Sequence, residues 1–205
     1  MQTTRRATLV LGPALLTAAG CGGSEPPPAP LAPISYTYLT PLPLNVGAID
    51  IVPADPPLVP GDLGATIIPR PAEAVRIMAR DRLSAVGTAG RAVFTVTRAM
   101  LARGGGGLGC ALACRLEILG PEETGRQGYV EAEARAAVTG ADASRPQAAE
   151  RLLRRTMDGL NVEFEFQLRR SLREWLAATA APGSGGALPA PPPGEITRED
   201  LPRRI

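Results

Sequence analysis

The stretch "GYVEAEARAAV" at 128–138 constrains the fold more than any other. Val130, Ala132, Ala134, Ala136 and Val138 alternate with Tyr129, Glu131, Glu133 and Arg135. That period of two describes a strand with one buried and one wet face. A sheet built from such strands needs one layer over its apolar side. "LACRLEIL" (112–119) alternates likewise, with Arg115 and Glu117 set against Leu116 and Ile118. "RAVFTVTRAML" (91–101) is a third strand, and "LNVGAIDIV" (44–52), rich in Val and Ile and bounded by prolines, is a fourth. "RGGGGLG" (103–109) and "GPEETGRQG" (120–128) fall between the later strands as loops, which predicts an antiparallel meander. Four successive glycines suggest a phosphate loop, but that motif ends in Gly-Lys-Ser/Thr and the chain has no lysine. They read instead as a flexible hairpin connection.

Two helices supply the cover. "RPAEAVRIMARDRLSAVG" (70–87) has Pro71 in its first turn and Gly87 just past its end, with Val75, Met78, Ala79, Leu83 and Val86 on one face. "SRPQAAERLLRRTMDGLNVEFEFQLRRSLREWLAATA" (144–180) offers Ser144 as an N-cap and a stripe of Ala149, Leu153, Leu160, Phe164, Leu168, Leu172 and Trp175. Glu150 with Arg154 and Glu165 with Arg169 stand at i,i+4. "NVEFEF" (161–166) alternates strictly and would also suit a strand. One long helix is favoured because Leu160, Phe164 and Leu168 keep the stripe in phase, with a kink expected at Gly159. The expected fold is therefore two-layer α+β: about four strands in an antiparallel meander, covered by two helices, the C-terminal one long.

The chain begins differently. Arg5 and Arg6 precede an apolar run from Ala7 to Ala19, thirteen residues long. A membrane-spanning helix needs about 20. A positive start, a short apolar stretch and small residues before a cut site are the layout of a secretory signal peptide. "AAGC" at 18–21 resembles the lipobox of bacterial lipoproteins, with Ala18 where leucine is commonest. That resemblance implies a diacylglyceryl group on the Cys21 thiol, cleavage before Cys21 and acylation of the new amino terminus. The alternative is a plain signal peptide cut near Gly20. "GGSEPPPAPLAP" after Cys21 has no apolar periodicity and reads as a solvated tether, so Cys21 has no core to pack into. Gly22 stands where an aspartate would suggest inner-membrane retention in enteric bacteria, which favours the outer membrane, facing the periplasm. "TRRATLV" also resembles a twin-arginine export signal, an address rather than an anchor.

The chain thus divides into a signal peptide (1–20), a lipidated Cys21 with a Pro-rich tether (21–41), a domain (42–180) and a Pro/Gly-rich tail (181–205) that reads as disordered. Lipobox, tether and domain together resemble small envelope lipoproteins of Gram-negative bacteria. The layout is similar to lipopolysaccharide-assembly lipoproteins and to auxiliary lipoproteins of ABC-type lipid transporters. "MDGLNVEFEFQLRRSLREWL" resembles lipoproteins of alphaproteobacteria that have no assigned activity. The resemblance implies membrane attachment through Cys21 and an envelope protein or lipid as partner.

Charge and chemistry narrow the function. Without Arg5 and Arg6, the 22 basic residues become 20 and match the 20 acidic ones. No basic stripe stands out, so nucleic-acid binding has no support. The chain contains no histidine, which removes Ser-His-Asp and Cys-His catalysis and imidazole metal sites. No cofactor, metal or catalytic residue is expected, and the protein is read as a non-enzyme. A carboxylate-dependent hydrolase using Glu131 and Glu133 is one alternative, although both fall on the wet sheet face beside Arg135. A purely structural surface lipoprotein is another.

Cys110 and Cys114 in "GCALAC" are a possible disulfide in an oxidising compartment. On one extended strand their Cα atoms would lie about 13 Å apart. A bond needs them within about 7 Å. Pairing would require the strand to start only after Cys114. The favoured reading packs Cys114 inside with Leu116 and Ile118 and leaves Cys110 at the loop edge, with the disulfide open.

Overall fold

The computed structural model describes residues 29–120 and 125–177. The chain divides into two compact units, Met1–Leu31 and Ala32–Ile205. The signal peptide, Cys21, the loop centre at 121–124 and the tail at 181–205 lie outside the described residues.

The second unit runs β1 (Leu42–Leu44), β2 (Ala48–Ile51), α1 (Pro71–Arg82), β3 (Leu83–Ala85), β4 (Arg91–Gly104), β5 (Gly107–Leu119), β6 (Arg126–Thr139) and α2 (Ala148–Ser171). The main sheet has the order β2-β4-β5-β6, and β1 pairs with β3 in a small sheet of two. The fold is α+β, as expected, but the sheet is mixed. β4, β5 and β6 form an antiparallel meander, whereas β2 pairs with β4 in parallel, Ala48 opposite Arg91. The reason is the connection: α1 lies between β2 and β4 in the chain, and a crossover of this kind lets neighbouring strands run the same way.

α1 is shorter than its periodicity suggests. Pro71 opens it, and Val75, Met78 and Ala79 are buried as expected. It ends at Arg82 because Leu83–Ala85 turn extended and pair with Leu42–Leu44. Val86 is consequently exposed. Gly87 does not cap the helix; a Cβ there would sit 2.6 Å from the Asn45 carbonyl carbon, so the position needs glycine for a close approach. The expected strand at 44–52 is likewise two strands in different sheets, broken between Leu44 and Ala48. Ordered packing begins upstream of Leu42, for Tyr36 is buried and Ile34 and Leu39 pack on the core.

The glycine loop is a two-residue turn. Gly105 and Gly106 both have positive φ, 57° and 75°, the requirement of a type I′ hairpin. β5 therefore starts at Gly107, and its even-numbered residues from Leu108 to Ile118 all face the core. In β4 the inward set shifts from Ala92, Phe94 and Val96 to Ala99 and Leu101 across a bulge between Val96 and Arg98. β6 keeps the alternation read from its sequence from Tyr129 to Val138.

α2 is one helix through the stretch that also resembled a strand. Leu153, Met157, Leu160, Phe164 and Leu168 are buried, while Val162 and Phe166 are 68% and 53% exposed. Phe164 meets Phe94 edge-on, ring centroids 5.7 Å apart. Ser144 is not its cap: it closes a 3-10 turn at Gly140–Ser144, and α2 follows Gln147 in a left-handed conformation. Trp175 falls beyond the helix in a second 3-10 turn and is only half-buried. The Glu165–Arg169 pair forms at 2.9 Å, whereas Arg154 donates to the Ala32 carbonyl.

Candidate functional site

α1 and α2 pack on the side of the sheet that carries Leu112, Cys114 and Leu116. Among the described residues no element covers the other side. The odd-numbered residues of β5 floor that face, and strand register sets their neighbours. Met100, Ala111 and Arg135 form one row; Arg98, Ala113 and Glu133 the next; Ala102, Gly109 and Ala137 a third. Because β5 offers only glycine and alanine here, the longer side chains of β4 and β6 stand up as walls. The result is a trough of about 660 Å³, floored by Gly109 and Ala111 and flanked by Arg98 and Met100 on one side and Arg135 and Ala137 on the other.

Toward β2 the same face becomes a charge ladder. Glu133 accepts hydrogen bonds from Arg135, at 2.7 Å, and from Arg98. Arg115 sits 2.6 Å from Glu131, and Arg126 bonds Glu117 at 3.1 Å while its guanidinium lies 4.3 Å from the Tyr129 ring centre. The Arg135 hydrogen bond, with help from Arg98, holds the Glu133 carboxyl below its usual range. Glu133 is thus ionised at neutral pH and is not poised to donate a proton. Glu131 and Glu133 both stand on this wet face, as read from the sequence. A second hollow, of about 440 Å³, brings Glu163 of α2 near them, beside Thr97 and Arg98.

Cys110 and Cys114 are free thiols on the inner face of β5. Cys110 is not at a loop edge: it lies opposite Leu101 and Ala136 within the strand and is buried. Four residues of extended chain keep the two Cα atoms about 13 Å apart, so the sheet does not bring the pair together. Burial pushes the Cys110 thiol up to about 11, against a hydrogen bond with Thr156, and the Cys114 thiol up to about 12. Among the described residues no three His, Cys, Asp or Glu side chains gather as a metal site. Cys21 lies outside the described residues.

One polar cluster has no periodic signal in the sequence. Arg82 is 2% exposed, and its guanidinium donates to the Thr40 carbonyl (3.1 Å), Asn161 Oδ1 (2.5 Å) and Glu165 Oε2 (2.5 Å). It ties the end of α1 to α2 and to the chain entering β1. With every partner supplied from within the domain, this cluster is structural.

No family model matches the chain, and no curated protein matches it. Among solved structures it is similar to a candidate lipoprotein from Caulobacter crescentus CB15, at 16% identity over 64% of this chain and 92% of that one, TM-score 0.34. It is also similar to a DUF330 protein from Xanthomonas campestris, at 10% identity over 62% and 87%, TM-score 0.36. A third likeness is to a lipoprotein from Neisseria meningitidis, at 10% identity over 55% and 96%, TM-score 0.28.

Proposed function

We propose that this chain is a lipid-anchored envelope protein with no catalytic role, which binds a partner protein or lipid in envelope assembly or transport through the uncovered sheet face. Support for the anchor is the signal layout ending at Cys21 and the Pro-rich segment behind it. Several acyl chains give stable attachment where one would be marginal. Gly22 favours the outer membrane, facing the periplasm. The observation that carries the binding reading is the trough: a walled, largely apolar strip on a sheet face that no element of the described domain covers.

A photo-crosslinking residue at Met100, in intact cells, tests it. A discrete adduct that disappears when Ala137→Trp narrows the trough is the expected outcome. No adduct, or one equally strong from Glu174 beyond the end of α2, would overturn it. The hollow beside Glu131, Glu133 and Glu163 is the observation on the side of a carboxylate hydrolase, and the ionised, doubly paired Glu133 is the observation against it. Loss of cell function in Glu131→Gln or Glu133→Gln, with the Met100 adduct intact, would favour the hydrolase.

A further inference from the structure

The end of the domain from which the chain leaves toward Cys21 carries a cluster of arginines. Arg145, Arg151 and Arg155 surround a hollow of about 250 Å³ whose floor is Val138, Ala148 and Leu152. All three side chains are exposed. Asp142 bonds Arg145 at 3.0 Å, and Arg151 reaches the Gln147 side-chain oxygen at 3.4 Å. Arg155 has no acidic partner among the described residues. Between 145 and 155 four arginines stand against Glu150 alone.

The chain's point of departure lies beside this cluster. Arg154 donates to the carbonyl of Ala32, and the Tyr36 amide is fixed by Asp81 at 2.7 Å. Arg154 is six residues into α2, about 9 Å along its axis. Residues 21 to 32 span at most roughly 40 Å when fully extended. A bilayer holding Cys21 therefore lies within roughly 40 Å of Ala32, on the reach of that segment. The loop with exposed Leu58 and Val59 reaches the same end of the sheet: the Arg103 amide donates to Gly61 and the Arg103 side chain to Ala143.

We propose that this arginine-rich end faces the anchoring membrane, with Arg145, Arg151 and Arg155 holding the phosphates of anionic lipid headgroups. Guanidinium forks suit phosphate oxygens, and the apolar floor between them suits the headgroup–acyl boundary. The proposal rests on the lipid-anchor reading for its geometry. The trough opens on the other face of the sheet from α2, and its Ala137 end adjoins Val138 of this hollow.

The test uses the mature chain from residue 21 with Cys21→Ser, so that headgroup binding is read without any acyl chain. At low salt it should float with phosphatidylcholine vesicles containing phosphatidylglycerol and not with phosphatidylcholine alone. Arg145→Gln, Arg151→Gln and Arg155→Gln together should weaken flotation at least tenfold. The same exchange at Arg169, Arg170 and Arg173, near the far end of α2, should leave it unchanged. Equal loss from the two triple variants would overturn the proposal. So would protection from thermal unfolding by inorganic phosphate without vesicle binding, which would mark a site for free phosphate. Failure of Cys21 acylation in cells would remove the anchor and leave the vesicle result standing.

Discussion

Arg82 and Glu165, 83 residues apart in the chain, meet at 2.5 Å where the end of α1 crosses α2. Arg82 is buried, while the Glu165 side chain keeps 32% of its surface exposed. The pair is anchored on the arginine side. Arg82→Ala would leave the Thr40 carbonyl and Asn161 without a donor and open a hole at the helix junction. Leaving a buried acceptor without its donor costs about 1–3 kcal/mol. Urea unfolding of the variant should show a loss of that order.

The same pair has a pH signature. Burial raises the Glu165 carboxyl, but hydrogen bonds from Arg82 and Arg169 outweigh it, and the net effect is a carboxyl held below its ordinary value. The folded state thus binds fewer protons than the unfolded one in the acid range. The stabilisation is fully present above the unfolded value of about 4.3 and is lost as pH falls through the folded one. Stability of Glu165→Gln should therefore fall less steeply than that of the natural chain between about pH 5 and 3.

Phe164 is the centre of the helix–sheet contact, edge-on to Phe94. Phe164→Ala should cost roughly 3–5 kcal/mol. Phe166→Ala, two residues away on the exposed side of α2, should stay within about 0.5 kcal/mol. Circular dichroism melts of the two variants check the contrast directly.

Gly159 and Gly106 should respond to alanine in opposite directions. An added Cβ at Gly159 would touch the Ala134 methyl at 3.5 Å, an ordinary contact, and α2 is helical on both sides. Gly159→Ala should raise stability by about 0.5–1 kcal/mol. Gly106 has open space for a Cβ but a φ of 75°, so Gly106→Ala should lower it, by about 1 kcal/mol. Thermal midpoints of both variants decide the matter.

Both core thiols should resist alkylation while the chain is folded. Burial keeps Cys110 and Cys114 protonated at neutral pH, and the thiolate is the reactive form. With Cys21→Ser, native protein should take up no iodoacetamide over minutes, and denatured non-reduced protein should take up two equivalents. A mass two daltons low, with no uptake, would mean a disulfide.

Much of the fold was legible in local patterns. The alternation at 128–138 foretold which residues of β6 point inward, and that at 112–119 placed Cys114, Leu116 and Ile118 in the core. The i,i+4 stripe of Leu160, Phe164 and Leu168 identified α2 against the rival alternation of "NVEFEF". Glu131 and Glu133 were legible as a wet charged face. These are properties of one element at a time, because apolar spacing reports which side of a helix or strand leaves water. Tertiary structure alone decided the rest. Leu83–Ala85 leave helical periodicity because Leu42–Leu44 offer a strand to pair with. β2 joins in parallel because α1 carries the chain back across the sheet. The trough exists because register sets Gly109 and Ala111 between Met100 and Arg135, and no single strand encodes that row. Arg82 can be buried only because Asn161 and Glu165 arrive from the far half of the chain. Burying a guanidinium depends on partners distant in sequence, and spacing within one helix carries no record of them.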